Sequence, residues 1–168
     1  SHADAILSLS NNTRAREMLD TVYGRDVALV PYQRPGFLLS KEVAQAALAT
    51  PRPRGLVLLN HGLVTWGATA KQAYDAHIEM VVKAEEFIAG HITGKVVFGA
   101  PSRKWLEPER RHQVAAAVAP VLRGLIGQRQ RVLLRYEDSK EVLDLVNSTR
   151  GKELSKVGAA TPDHALYT

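Results

Sequence analysis

Cysteine is absent from all 168 residues. That excludes disulfides, thiolate metal sites and a cysteine nucleophile, and it suits a reducing, cytoplasmic setting. Long apolar runs are also missing, and none approaches the roughly 20 residues that a membrane-spanning helix needs. No membrane partner is expected. Aromatics make up only 6% of the chain, and no aromatic-and-basic stripe of the kind used to stack bases in a nucleic-acid groove appears. Glycines are nowhere spaced Gly-x-Gly, and neither a dinucleotide fingerprint nor a Walker-type phosphate loop is present. A Gly-x-Ser-x-Gly nucleophile elbow is missing too.

What is present reads as an ordinary globular protein, with 45% hydrophobic and 23% charged residues. The length suits one domain with a real core. The net charge is +5 and the pI about 9.6. The basic residues are scattered, and the densest cluster, Arg103-Lys104 with Arg110-Arg111, is mixed with Glu107 and Glu109. A solvated surface or a site for anionic substrates fits this pattern better than a nucleic-acid groove, so no nucleic-acid partner is expected. The chain opens on Ser1-His2-Ala3-Asp4 rather than Met, and helical apolar spacing begins at once. This is the pattern of a piece of a longer polypeptide, or of Ser1-His2 left by a cleaved tag.

Periodicity places the elements. Ala3 to Leu9 predicts a short helix, and Thr13 to Tyr23 a second, with Thr13 as N-cap and Gly24 just past its end. Asp26 to Tyr32 predicts a strand that stops before the turn signal Arg34-Pro35-Gly36. Ser40 caps an expected helix over Lys41 to Ala49. Thr69-Ala70-Lys71-Gln72 is a capping box that starts the longest helix, to about Ala89, with Ala73, His77, Met80, Val81, Ala84 and Phe87/Ile88 as its apolar stripe. Lys95 to Phe98 and Arg131 to Tyr136 predict strands. Glu107 to Ile126 predicts a helix interrupted near Pro120. Asp138 to Glu141 caps a helix through Val146, and an irregular tail follows from Gly151. Alternating strands and helices predict a layered α/β fold.

The segment Gly55 to Gly67 carries the most chemistry. Leu56-Val57-Leu58-Leu59 reads as a buried strand, Asn60-His61-Gly62 as a sharp break, and Leu63-Val64-Thr65-Trp66 as a second strand. The break sets an imidazole at a strand end beside a glycine that admits close approach. His2 stands just before a helix. Two imidazoles at two such turns can converge on one Zn²⁺, leaving room for a third ligand and a substrate; each alone also reads as a hydrogen-bonded turn histidine. His77 reads as a satisfied packing residue, His91 and His112 as solvated, and His164 as a loop residue within reach of a site. Tyr23, Tyr32 and Tyr74 read as half-buried packing residues, and Glu79, Glu85 and Glu86 as a wet helix face.

Three segments together resemble the class II aldolase/adducin family. The first is Leu59-Asn60-His61-Gly62-Leu63 with Trp66-Gly67 and the helix from Ala73-Tyr74 to Ala84-Glu85, similar to the family's "NHG" strand and long helix. The second, His2-Ala3-Asp4-Ala5-Ile6, looks like the latter half of the family's His-x-His pair. The third combines Val22-Tyr23-Gly24, Val30-Pro31-Tyr32 and Arg34-Pro35-Gly36-Phe37 with the tail Ala160-Thr161-Pro162-Asp163-His164. It resembles proteins that join a rhamnulose-1-phosphate aldolase to a short-chain dehydrogenase.

The resemblance implies a three-layer α/β/α fold with a central mixed sheet, incomplete here, residues 1–168 being the C-terminal portion of an aldolase domain. It implies His2 and His61 as ligands of Zn²⁺ or another divalent metal. The first histidine of the pair, the general-base glutamate and the phosphate-binding loops are expected upstream of the chain. It implies retro-aldol cleavage of a phosphorylated sugar, rhamnulose 1-phosphate, in a homo-oligomer. The metal would act as a Lewis acid while a carboxylate moves protons. A sugar-phosphate 4-epimerase uses the same chemistry on the same fold, and an adducin-like module would keep the fold without catalysis.

Overall fold

A computed structural model describes residues 1–161 of the chain. They form two compact units, residues 95–157 and residues 1–94 together with 158–161, where length alone suggests one domain.

The first unit is built on a three-stranded mixed sheet. Its strands β1 (Val27–Val30), β2 (Gly55–Leu58) and β3 (Gly62–Thr65) lie in the order β1-β2-β3. β1 runs parallel to β2, with Val27 opposite Gly55, and β3 runs antiparallel, with Leu58 opposite Gly62. A parallel pair needs a crossover, and helix α3 (Phe37–Ala49) supplies it. Side chains alternate across a strand, and the apolar residues divide accordingly. Val27, Val57 and Leu63 join a cluster with Ile6 and Leu9 of α1 (Asp4–Ser10), Leu19 and Tyr23 of α2 (Ala15–Tyr23), and Met80 and Ala84 of α4 (Ala70–Ile92). Ala28, Val30, Leu56 and Leu58 face the other way, onto Leu39 of α3. The result is helix, mixed sheet, helix, the three layers expected.

The long helix begins as its sequence predicts. The Thr69 hydroxyl accepts the Gln72 N–H at 3.2 Å, and the Gln72 side chain accepts from Ala68 N at 2.9 Å. Met80 and Ala84 are buried, and Glu79 pairs with Lys83 at 3.2 Å and with Arg54 on the wet side.

Several expectations are corrected. Thr13 does not cap α2; the N-cap is Arg14, whose N–H donates to the Asn12 side chain at 2.8 Å. Asparagine competes well for such local bonds. α3 starts at Phe37 after Gly36, and Ser40 lies inside it, its hydroxyl donating to the Gly36 carbonyl. β1 is shorter than the apolar run that marks it, and Tyr32 is exposed, as is Tyr74.

The second unit holds α5 (Pro108–Ile126), α6 (Lys140–Val146) and α7 (Gly151–Leu154). α5 runs unbroken through Pro120. Pro120 removes one backbone donor, but Pro120 and Ala116 both lie exposed, so water can serve the freed carbonyl. Neither 95–98 nor 131–136 is a strand. Both are apolar enough, yet no partner strand meets them among the described residues, and strand propensity is realised only through pairing. A short helix, α7, replaces part of the irregular tail. Arg111 pairs with Asp138 at 2.9 Å, inside the cluster that looks most basic in the sequence.

Candidate metal centre

The β2–β3 connection is three residues long, Leu59-Asn60-His61, and the His61 N–H donates to the Leu58 carbonyl at 3.0 Å to close it. Asn60 takes the left-handed conformation, with φ of 58°. Asparagine tolerates that conformation better than other side chains. His61 is thereby fixed at the strand end.

The chain brings His2 to the same place along the free edge of β3. Ser1 pairs with Leu63 through two backbone bonds, Ser1 N to Leu63 O at 2.7 Å and Leu63 N to Ser1 O at 2.9 Å. This crossing depends on Gly62. Its φ is 157°, and a Cβ there would run into the Ser1 carbonyl oxygen and lie 3.4 Å from the His2 ring. Only glycine combines that φ with that space.

The two imidazoles meet. The rings of His2 and His61 are stacked, with centres 5.3 Å apart and planes inclined by 17°. Both residues are half-buried. No third His, Cys, Asp or Glu joins them to form a metal-binding group among the described residues. His164 lies outside those residues.

A second polar group sits beside the pair. His77, on α4, has its Nε2 2.5 Å from the Ser1 hydroxyl and its Nδ1 3.2 Å from the Thr65 hydroxyl. Thr65 in turn donates to the Ala73 carbonyl at 2.9 Å. Burial holds the His77 imidazole below its ordinary range. His77 is thus satisfied, as its place on the apolar stripe suggests, but its partners are polar residues that sequence reasoning missed. A histidine on an apolar stripe, with a threonine on the strand facing it, is the signal available. His91 and His112 are exposed, His91 against the Phe87 carbonyl and His112 3.8 Å from Asp138. Tyr23 is buried and donates to the Met80 carbonyl at 2.6 Å, and burial pushes its phenol well up.

Known proteins match along this chain. The family described as "Class II Aldolase and Adducin N-terminal domain" matches residues 1–88, which hold the sheet and both imidazoles, and "Aldolase class II, second domain" matches residues 113–168. A Bacillus subtilis (strain 168) protein, "Uncharacterized oxidoreductase YuxG", is 36% identical over 167 residues, 99% of this chain. The chain spans 24% of that relative's length. The solved N-terminal class II aldolase domain of a conserved protein from Thermoplasma acidophilum is 45% identical, covering 52% of this chain and 40% of that one, with a TM-score of 0.46. The chain belongs to the class II aldolase and adducin family.

Proposed function

We propose that these residues form part of a metal-dependent lyase that cleaves a ketose 1-phosphate, rhamnulose 1-phosphate, to dihydroxyacetone phosphate and L-lactaldehyde. The stacked His2–His61 pair, set at a backbone crossing that glycine alone permits, carries the reading. An imidazole nitrogen binds zinc in the plane of its ring at about 2.0–2.1 Å, and rings with centres 5.3 Å apart are near enough to share one ion once their stacked planes turn toward it. Nitrogen donors suit Zn²⁺. A catalytic zinc site takes three protein ligands and one open position. The third imidazole and the general-base glutamate therefore belong to the reading without being assigned to any described residue.

A cation held there supplies Lewis acidity toward the carbonyl and hydroxyl oxygens of the substrate. The chain's own residues prepare the place for it. Neutral imidazoles bind without cancelling the ion's charge. The β2–β3 turn fixes His61, and the Ser1–Leu63 pairing fixes His2. The positive charge of the chain favours a phosphorylated substrate. The Bacillus relative is named an oxidoreductase, but no dinucleotide loop occurs in these 168 residues, so no redox step is assigned to them. The absence of cysteine favours the cytoplasm, and among the described residues no helix is long and apolar enough to cross a membrane. Homo-oligomeric assembly belongs to the same reading, and light scattering tests it.

The intact protein is expected to hold stoichiometric divalent metal, measured by atomic absorption. His61→Ala should lose the metal and rhamnulose-1-phosphate cleavage together. Metal retained at wild-type stoichiometry in that variant would overturn the assignment, and a wild type without metal would favour a non-catalytic adducin-like module. The 168-residue chain alone is expected to show no turnover, because no carboxylate joins the imidazole pair among the described residues.

A further inference from the structure

We propose that His77 is a positioning residue for the metal centre, acting through Ser1 in one fixed tautomer. The inference rests on the reading of His2 and His61 as metal ligands.

The hydrogen bonds form a directed chain. The single proton of the Thr65 hydroxyl goes to the Ala73 carbonyl. Toward His77, then, the Thr65 oxygen accepts, and Nδ1 of His77 must carry the proton it donates. That leaves Nε2 with a lone pair, which accepts the Ser1 hydroxyl at 2.5 Å. Ala73 and His77 both lie on α4, one turn apart, so the far end of the chain is anchored in a helix packed on the core.

The near end matters because of where Ser1 sits. Its backbone already pairs with Leu63 on the edge of β3. Two backbone bonds set the register of residue 1 against β3. The bond from its side chain to α4 adds a third point of attachment, outside the sheet. With three points fixed, the peptide leading into His2 has one orientation, and the His2 ring is presented to His61 across the gap that Gly62 leaves open. Partners one step removed from a ligand commonly set its orientation, and losing one typically weakens metal binding by about 10- to 100-fold.

The test uses the intact protein, with Zn²⁺ affinity measured by competition against a chromophoric chelator. Ser1→Ala and His77→Ala should each weaken binding by about 10- to 100-fold. The double variant should be no weaker than the worse single one, since both break the same bond. His77→Gln, whose amide oxygen can accept the Ser1 hydroxyl, should restore most of the affinity. Ser1 is exposed, so Ser1→Ala keeps the test alive if His77→Ala fails to fold. In metal-free protein, ¹⁵N correlation spectra should show the Nδ1–H tautomer of His77. Unchanged affinity in Ser1→Ala, additive losses in the double variant, a glutamine as weak as alanine, or the Nε2–H tautomer would each overturn the inference while metal binding itself stands. Wild-type protein that binds no metal would remove the metal-site reading, and this inference with it.

Discussion

Gly62 sets the backbone crossing at which His2 meets His61. It must accept a φ of 157° and leave room for the Ser1 carbonyl, so Gly62→Ala meets strain and collision together. The substitution is expected to cost about 1–3 kcal/mol, which for a chain of this size is a few degrees in Tm per kcal/mol. Thermal unfolding followed by circular dichroism checks this, and a Tm equal to wild type would contradict it. His77 makes a second prediction, in pH. Its imidazole is held below the unfolded value of about 6.5. The unfolded chain therefore binds more protons below that pH, and stability rises with pH there. The contribution is present above about pH 6.5 and is lost as pH falls toward the folded value. In metal-free protein, the drop in urea midpoint between neutral and mildly acid pH should be smaller for His77→Gln than for wild type. At this scale the sequence shows His61 and its glycine clearly, because Asn-His-Gly between two apolar runs is a turn on any reading. The partnership of Ser1, Thr65 and His77 is not legible, because hydrogen bonds across distant segments leave no periodic trace.

Elements follow local rules where a helix carries its own signals, and depart from them where a partner decides. α4 is the clear case. Its capping residues and its apolar stripe predict both its start and its buried face, and Met80 and Ala84 are buried as that stripe requires. Thr69→Ala removes the side-chain cap and should cost about 1 kcal/mol, read as a lower urea midpoint with an unchanged slope. Cap loss without a shift would mean that packing on the sheet alone holds the helix start. The segment Arg131 to Tyr136 is the opposite case. Its apolar run predicts a strand, but Leu133 is 96% exposed and no ladder forms there. A strand is half of a pair, and composition cannot report whether the other half is at hand. Proline is misread for a related reason. Inside α5 it breaks one backbone bond at an exposed position, where solvent offsets the loss.

For the whole molecule, the three-layer order of the first unit is legible because alternation on β1, β2 and β3 assigns each apolar side chain to a face before any helix is placed. The division into two compact units goes unread, although charge does mark it: residues 1–94 hold nine basic and nine acidic residues, residues 95–157 thirteen and seven. The two tryptophans separate the units experimentally. Trp66 lies in the first and Trp105 in the second, so Trp105→Phe leaves a chain whose indole fluorescence reports the first unit. Ile6 of α1 is fully buried in the cluster that α1, α2, α4 and one face of the sheet share. Ile6→Ala in that background should lose about 2–5 kcal/mol, seen as a lower urea midpoint of Trp66 emission. The same helix follows directly on His2, so loosening it should also weaken metal binding in the intact protein. A shifted midpoint with unaltered zinc affinity would show that the edge pairing of Ser1 holds His2 without help from the core behind it.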